Sequence, residues 1–120
     1  MKKILIVDDD KSIVDVLTET LAGEDRTIRW AYDGKGALNW ISKEVFDLIV
    51  CDLMMPKVHG FQILEWVRSN PGCNTTRVVI LTAKSYKLDA DKAKKGGADM
   101  FISKPFEIAD LKEKIDKLLS

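Results

Sequence analysis

The sequence is short of the residues that build stapled or metal-clustered folds. Only two cysteines occur, Cys51 inside an apolar run and Cys73 in a loop, which supplies neither a disulfide framework nor paired thiolate ligands. A reducing compartment, and with it a cytoplasmic location, is the expectation. His59 is the only histidine, so no histidine cluster is available for a metal. Net charge is missing as well: nineteen basic residues cancel nineteen acidic ones, leaving no overall electrostatic pull toward nucleic acid or an anionic membrane. No apolar run approaches membrane-spanning length. Residues 1–7 begin like a signal peptide, but Asp8, Asp9 and Asp10 stop the apolar stretch after four residues.

What is present fits one globular domain. A chain of 120 residues, 46% of them hydrophobic, can enclose a single core but not two, so residues 1–120 are read as one unit with no room for a separate output module. Five apolar runs of strand length, near residues 3–7, 27–31, 47–51, 78–81 and 98–102, alternate with stretches of helical period. The first helix carries Ile13, Val14, Leu17 and Leu21 as its stripe, is capped by Asp10 or Ser12, and stops at Gly23. The second follows Asp33-Gly34 with Ala37, Leu38 and Ile41 inward, and the third holds Phe61, Leu64 and Val67 until Asn70-Pro71-Gly72 breaks it. Residues 85–95 are helical in composition but thin in apolar anchors, with Tyr86 and Leu88 supported by Ala90 and Ala93. The last helix turns Ile108, Leu111, Ile115 and Leu118 or Leu119 inward.

Five β-α units with short links imply a parallel sheet covered by helices on both faces, the crossovers being right-handed. Ligands of such sheets gather at the carboxyl ends of the strands. Asp8 and Asp9, Asp52, Thr82, and Ser103 with Lys104 stand at those ends. Three carboxylates in one basin repel, so the basin must take up a cation or protons. Carboxylate oxygens without histidine or thiolate suit a hard ion, and few ligands in an open site favour Mg²⁺ over Ca²⁺. Mg²⁺ and Lys104 together would bring the local charge near zero and ready the basin for an anion. Asp52, beside both, is then suited to attack phosphorus, because phosphoryl transfer asks mainly for positioning and charge neutralisation.

These residues, in this order, resemble the receiver domain of the bacterial response-regulator family over essentially the whole chain. The matching positions are Asp8-Asp9, Asp52 followed by Met55-Pro56 and Gly60, Thr82-Ala83, and Lys104-Pro105-Phe106. The resemblance implies a flavodoxin-like doubly wound α/β fold with strand order 2-1-3-4-5 and five helices. It implies Asp52 as phospho-acceptor, served by a sensor histidine kinase, a phosphotransfer protein or a small phosphodonor. Mg²⁺ would be held by the Asp9 and Asp52 side chains, by Asp8 through water and by the Met54 backbone carbonyl. Lys104 would pair with phosphoryl oxygens, Thr82 would swing in to hydrogen-bond one, and Phe101 would fill the rotameric aromatic position without offering a hydroxyl. On this view the chain phosphorylates itself and slowly loses the phosphoryl group. It changes the surface of the fourth helix, fifth strand and last helix for an output protein or domain, and a phosphorylation-dependent dimer is compatible with it.

His59-Gly60 departs from the Asp-Gly usual in the family; His59 is read as a loop residue near the third helix. Met54 and Lys84, two residues past Asp52 and Thr82, control water access, and neither is a good water-positioning base, so a long-lived phosphorylated form is expected. Trp30, Trp40 and Trp66 fall away from the strand ends and are assigned to packing or surface contact. The Lys104–Pro105 bond is expected to be cis. Two rivals remain: an aspartyl-phosphate phosphohydrolase, which usually has a second acid where Met54 stands, and an inactive receiver-like module, which the full acidic set argues against. An FMN-binding protein would share the fold, but no Ser/Thr/Gly-rich phosphate loop follows the first strand.

Overall fold

Strands and helices alternate five times in the computed structural model, which describes the backbone of residues 1–55, 58–72, 75–83 and 87–120 and the side chains of all of these except 87–90. The strands are β1 (Lys2–Val7), β2 (Arg26–Ala31), β3 (Leu48–Asp52), β4 (Arg77–Thr82) and β5 (Met100–Ser103). The helices are α1 (Lys11–Leu21), α2 (Gly34–Lys43), α3 (Gly60–Ser69), α4 (Lys87–Lys95) and α5 (Ile108–Leu119). Every ladder is parallel and the order is β2-β1-β3-β4-β5, the doubly wound arrangement implied by the resemblance.

The unbroken apolar runs follow from burial on both faces. Along β3, Leu48 and Val50 join the cluster under α1 and α5, while Ile49 and Cys51 join the opposite cluster under α2 and α3. Leu17 and Leu21 of α1 and Leu111 and Ile115 of α5 close one face; Ala37 and Ile41 of α2 with Ile63, Leu64 and Val67 of α3 close the other. Each large aliphatic side chain so removed from water stabilises the fold by roughly 1.5–3 kcal/mol. β2, with an exposed Trp30 and half-buried arginines, is an edge strand as its sequence suggests. Side chains start the helices: Asp10 accepts from the Ser12 amide at 2.9 Å and Asp33 from the Gly36 amide at 2.7 Å.

α1 ends at Leu21 with Ala22 as its cap, so Gly23 stands just past the helix end as expected. Three other expectations about boundaries and burial need correction. β5 begins at Met100, not at residue 98, since the Asp99 carboxylate accepts the Val78 amide at 2.8 Å and takes the place of a ladder partner. β3 runs through Asp52, which pairs with Leu81, while Asp47 stays outside it and uses its carboxylate on the Lys3 amide at 2.8 Å. Ile108 is 47% exposed and outside the cluster under α5, whose buried members on that helix are Leu111 and Ile115.

In α4 the only described side chain in the core is Ala93. Tyr86, and the side chains of Leu88 and Ala90, lie outside the described residues. Gly97 follows the helix at φ 95°, the left-handed conformation that glycine adopts most readily after a helix. Among the described residues no helix is long and apolar enough to cross a membrane.

Candidate functional site

The strand order brings β1 and β3 side by side with β4 next and β5 beyond, so residues far apart in sequence meet at one end of the sheet. Asp8 directly follows β1 and is fully buried; its neighbour Asp9 is exposed. Asp52 closes β3 at 5% exposure and Thr82 closes β4 at 1%. The carboxylates of Asp8, Asp9 and Asp52 each offer an oxygen within 4.8 Å of the others. Lys104 reaches in from the loop after β5, where its amide donates to the Thr82 carbonyl at 2.6 Å and its peptide bond to Pro105 is cis, as expected. Its Nζ donates to Asp8 Oδ2 at 2.7 Å and lies 3.5 Å from Asp52 Oδ1.

The charge balance of this cluster is unfavourable. Burial, together with the negative charge of Asp8, pushes the Asp52 carboxyl up to about 6, against the pull of Lys104 and a hydrogen bond from the Met54 amide. Burial raises Asp8 too, with the Lys104 hydrogen bond only partly opposing it. For Lys104 burial works against the charge, yet the hydrogen bond and charge of Asp8, with the charge of Asp52, outweigh it and raise the pKa. Three carboxylates facing one ammonium therefore want another cation. An all-oxygen donor set at these separations fits a hard divalent ion.

The β3–α3 connection crosses close to the site. The Gly60 amide donates to the Leu53 carbonyl at 2.8 Å, and a Cβ at Gly60 would stand 2.6 Å from the Asp52 carbonyl oxygen and 2.9 Å from Leu53 Cα. Only glycine lets α3 start there. His59, read from sequence as a loop residue, is the N-cap of α3: its Nδ1 accepts from the Phe61 amide at 3.3 Å while Gln62 accepts from the His59 amide at 2.7 Å. Histidine is an uncommon cap, and the glutamine three residues on was the available signal. Met54 is 63% exposed, and its Sδ lies 3.3 Å from His59 Nε2.

Phe101 is half-buried against the cluster of α2 and α3 and pairs with Ile80 across β4–β5. Lys84 lies outside the described residues. Cys51 is fully buried; burial, with Asp52 and Asp8 nearby, keeps its thiol protonated, so it has no nucleophilic part. The tryptophans stay away from the cluster as expected. Trp66 packs on the core, and the Trp40 indole donates to the Trp30 carbonyl at 3.0 Å.

A doubly wound sheet with an acidic cluster and an apposed lysine at its carboxyl end defines a receiver-type phosphotransfer fold. The chain belongs to the response regulator receiver domain family, whose model matches residues 4–116. The regulatory protein VanRc of Enterococcus gallinarum is 40% identical over 88% of this chain and 44% of its own length. The response regulator ArlR of Staphylococcus saprophyticus is 37% identical over 99% of this chain and 53% of its own. The chain thus spans about half the length of these curated relatives. The crystallised chemotaxis protein CheY4 of Vibrio cholerae superposes with a TM-score of 0.90 at 30% identity over 98% of both chains. The chain is therefore a receiver domain of two-component signalling, and the phosphohydrolase alternative is not favoured.

Proposed function

We propose that Asp52 is the phospho-acceptor of this receiver and that residues 1–120 act as one phosphorylation-dependent switch. The observation that carries the reading is the placement of Asp52: buried, at the end of the central strand, within reach of two further carboxylates and 3.5 Å from Lys104. An Asp52 oxygen attacks the phosphorus of a phosphohistidine on a sensor kinase or phosphotransfer protein, or of acetyl phosphate. A P–O bond to Asp52 forms, the bond to the donor nitrogen or oxygen breaks, and the donor leaves with that electron pair. Bound Mg²⁺, held by Asp9 and Asp52, by Asp8 through water and by the Met54 carbonyl, would neutralise the phosphoryl oxygens. Asp52 must be ionised to attack, and a cation at this cluster favours that form.

Lys104 then shifts its donor from Asp8 toward a phosphoryl oxygen, the Thr82 hydroxyl donates to another, and Phe101 fills the space behind Thr82. The surface of α4, β5 and α5 changes for an output protein or domain, and a dimer formed on phosphorylation would use such a surface. Slow hydrolysis reverses the switch: water bonds to phosphorus, the P–O bond to Asp52 breaks, and orthophosphate leaves. Met54 and Lys84 set water's access. The working location is the cytoplasm, with no direct contact to nucleic acid or membrane.

Intact-mass measurement after incubation with acetyl phosphate and Mg²⁺ tests the proposal. One phosphoryl adduct on the wild type and none on Asp52→Asn supports it. Release of many equivalents of phosphate would instead make the chain a phosphohydrolase, and absence of any adduct would make it an inactive module.

A further inference from the structure

Each ring nitrogen of His59 has a polar neighbour, and the pair of contacts fixes where the proton of the neutral ring lies. The Phe61 amide donates to Nδ1 at 3.3 Å, so Nδ1 carries the lone pair, and in the neutral ring the proton resides on Nε2. Nε2 faces Met54 Sδ at 3.3 Å, which makes the contact an N–H···S hydrogen bond to a weak acceptor. The Phe61 ring lies 5.1 Å from the imidazole, centroid to centroid, and is tilted to it by 32°. Met54 is thus held at its far end: its thioether is tied to the cap of α3, although the residue is 63% exposed. An unbranched, exposed side chain with three rotatable bonds would otherwise sample many positions.

We infer that His59 is a positioning residue for the phosphoryl site: its Nε2–H holds the Met54 side chain as a fixed cover beside Asp52 and so slows hydrolysis of the phosphorylated form. The inference rests on Asp52 being the acceptor. It separates the two roles of the imidazole, since the cap uses Nδ1 and the cover uses Nε2. Asparagine caps helices as well as aspartate does, carries no charge, and is too short to reach the thioether from the same backbone.

The experiment is a double-substitution cycle with His59→Asn and Met54→Ala, each protein labelled with acetyl phosphate and Mg²⁺ at pH 8 and followed for first-order loss of phosphate. His59→Asn is expected to leave the unfolding midpoint near wild type and to speed loss about two- to tenfold, the rate equivalent of one modest hydrogen bond. In the Met54→Ala background the same substitution should add nothing. Equal acceleration in both backgrounds, or none in either, overturns the inference while leaving the acceptor intact; a wild type that takes no label overturns the acceptor itself. A reading independent of phosphorylation is also available, because His59 is the only histidine in the chain. Nitrogen-15 spectra of the unlabelled-phosphate protein at pH 8 should show the Nε2–H tautomer, and an Nδ1–H tautomer would overturn the inference.

Discussion

Lys104 donates to Asp8 at 2.7 Å and stands 3.5 Å from Asp52, so the lysine sits closer to Asp8 than to the proposed acceptor. Asp8 is fully buried and has this ammonium as its charge partner.

Lys104→Met keeps the apolar stem and removes the charge, leaving Asp8 buried without it. Urea unfolding at pH 8 should show a loss of roughly 3 kcal/mol, the usual cost of orphaning one member of a buried pair. The loss should shrink at pH 5, because Asp8, already raised by burial, can take a proton instead. A loss of equal size at both pH values would mean that the lysine stabilises by packing alone.

Asp52 provides the pH dependence, and its direction follows from the raised carboxyl. A pKa of about 6 in the fold against 3.8 for the unperturbed group means that the folded chain binds this proton more tightly than the unfolded chain. Its contribution is fully favourable below about pH 4 and is lost as pH rises through about 6. Asp52→Asn lacks that titration, so without divalent ions it should be more stable than wild type at pH 8, by on the order of 2 kcal/mol, and converge with it near pH 4. Paired denaturant curves across pH check this; a gap that widens on acidification would contradict it.

Asp9 is the exposed member of the cluster and a proposed direct ligand of the metal. Asp9→Asn should weaken Mg²⁺ roughly tenfold or more by calorimetry and slow labelling by acetyl phosphate in step. Unchanged affinity would take Asp9 out of the ligand set. Wild-type Mg²⁺ affinity should itself climb between pH 5 and pH 7, since protons compete for Asp52.

Gly60 and Gly72 make a contrasting pair. A methyl at Gly60 would press on the backbone of Asp52 and Leu53, whereas nothing lies within 4 Å of one at Gly72. Gly60→Ala should cost about 1–3 kcal/mol and slow labelling, because the strain falls on the backbone of Asp52, the proposed acceptor. Gly72→Ala should leave both near wild type. Melting curves with labelling rates decide, and a neutral Gly60→Ala would show that the connection yields easily.

The layout of the site could be read early because its residues mark the ends of strands. An apolar run that stops at Asp52, another at Asp8 and a third at Thr82 are local patterns, and parallel strands in a doubly wound sheet end on one side by construction. Ile108 misled because period alone says which residues share a stripe and not which of them the core covers. Asp99 was missed as a strand-end partner because its ligand is the Val78 amide, on another strand.

Sequence by itself determined the α/β alternation, the parallel sheet and the identity of the polar residues at its carboxyl end, since apolar period and turn chemistry are short-range properties of the chain. Tertiary structure decided which carboxylate holds Lys104, how far burial raises Asp52, why position 60 must be glycine, and that His59 caps α3 while gripping Met54. Each of these depends on tenths of an ångström or on solvent exclusion between groups as far apart in sequence as Asp8 and Lys104. Hydrogen bonding and Coulomb energy vary steeply with such distances, and no local pattern records them.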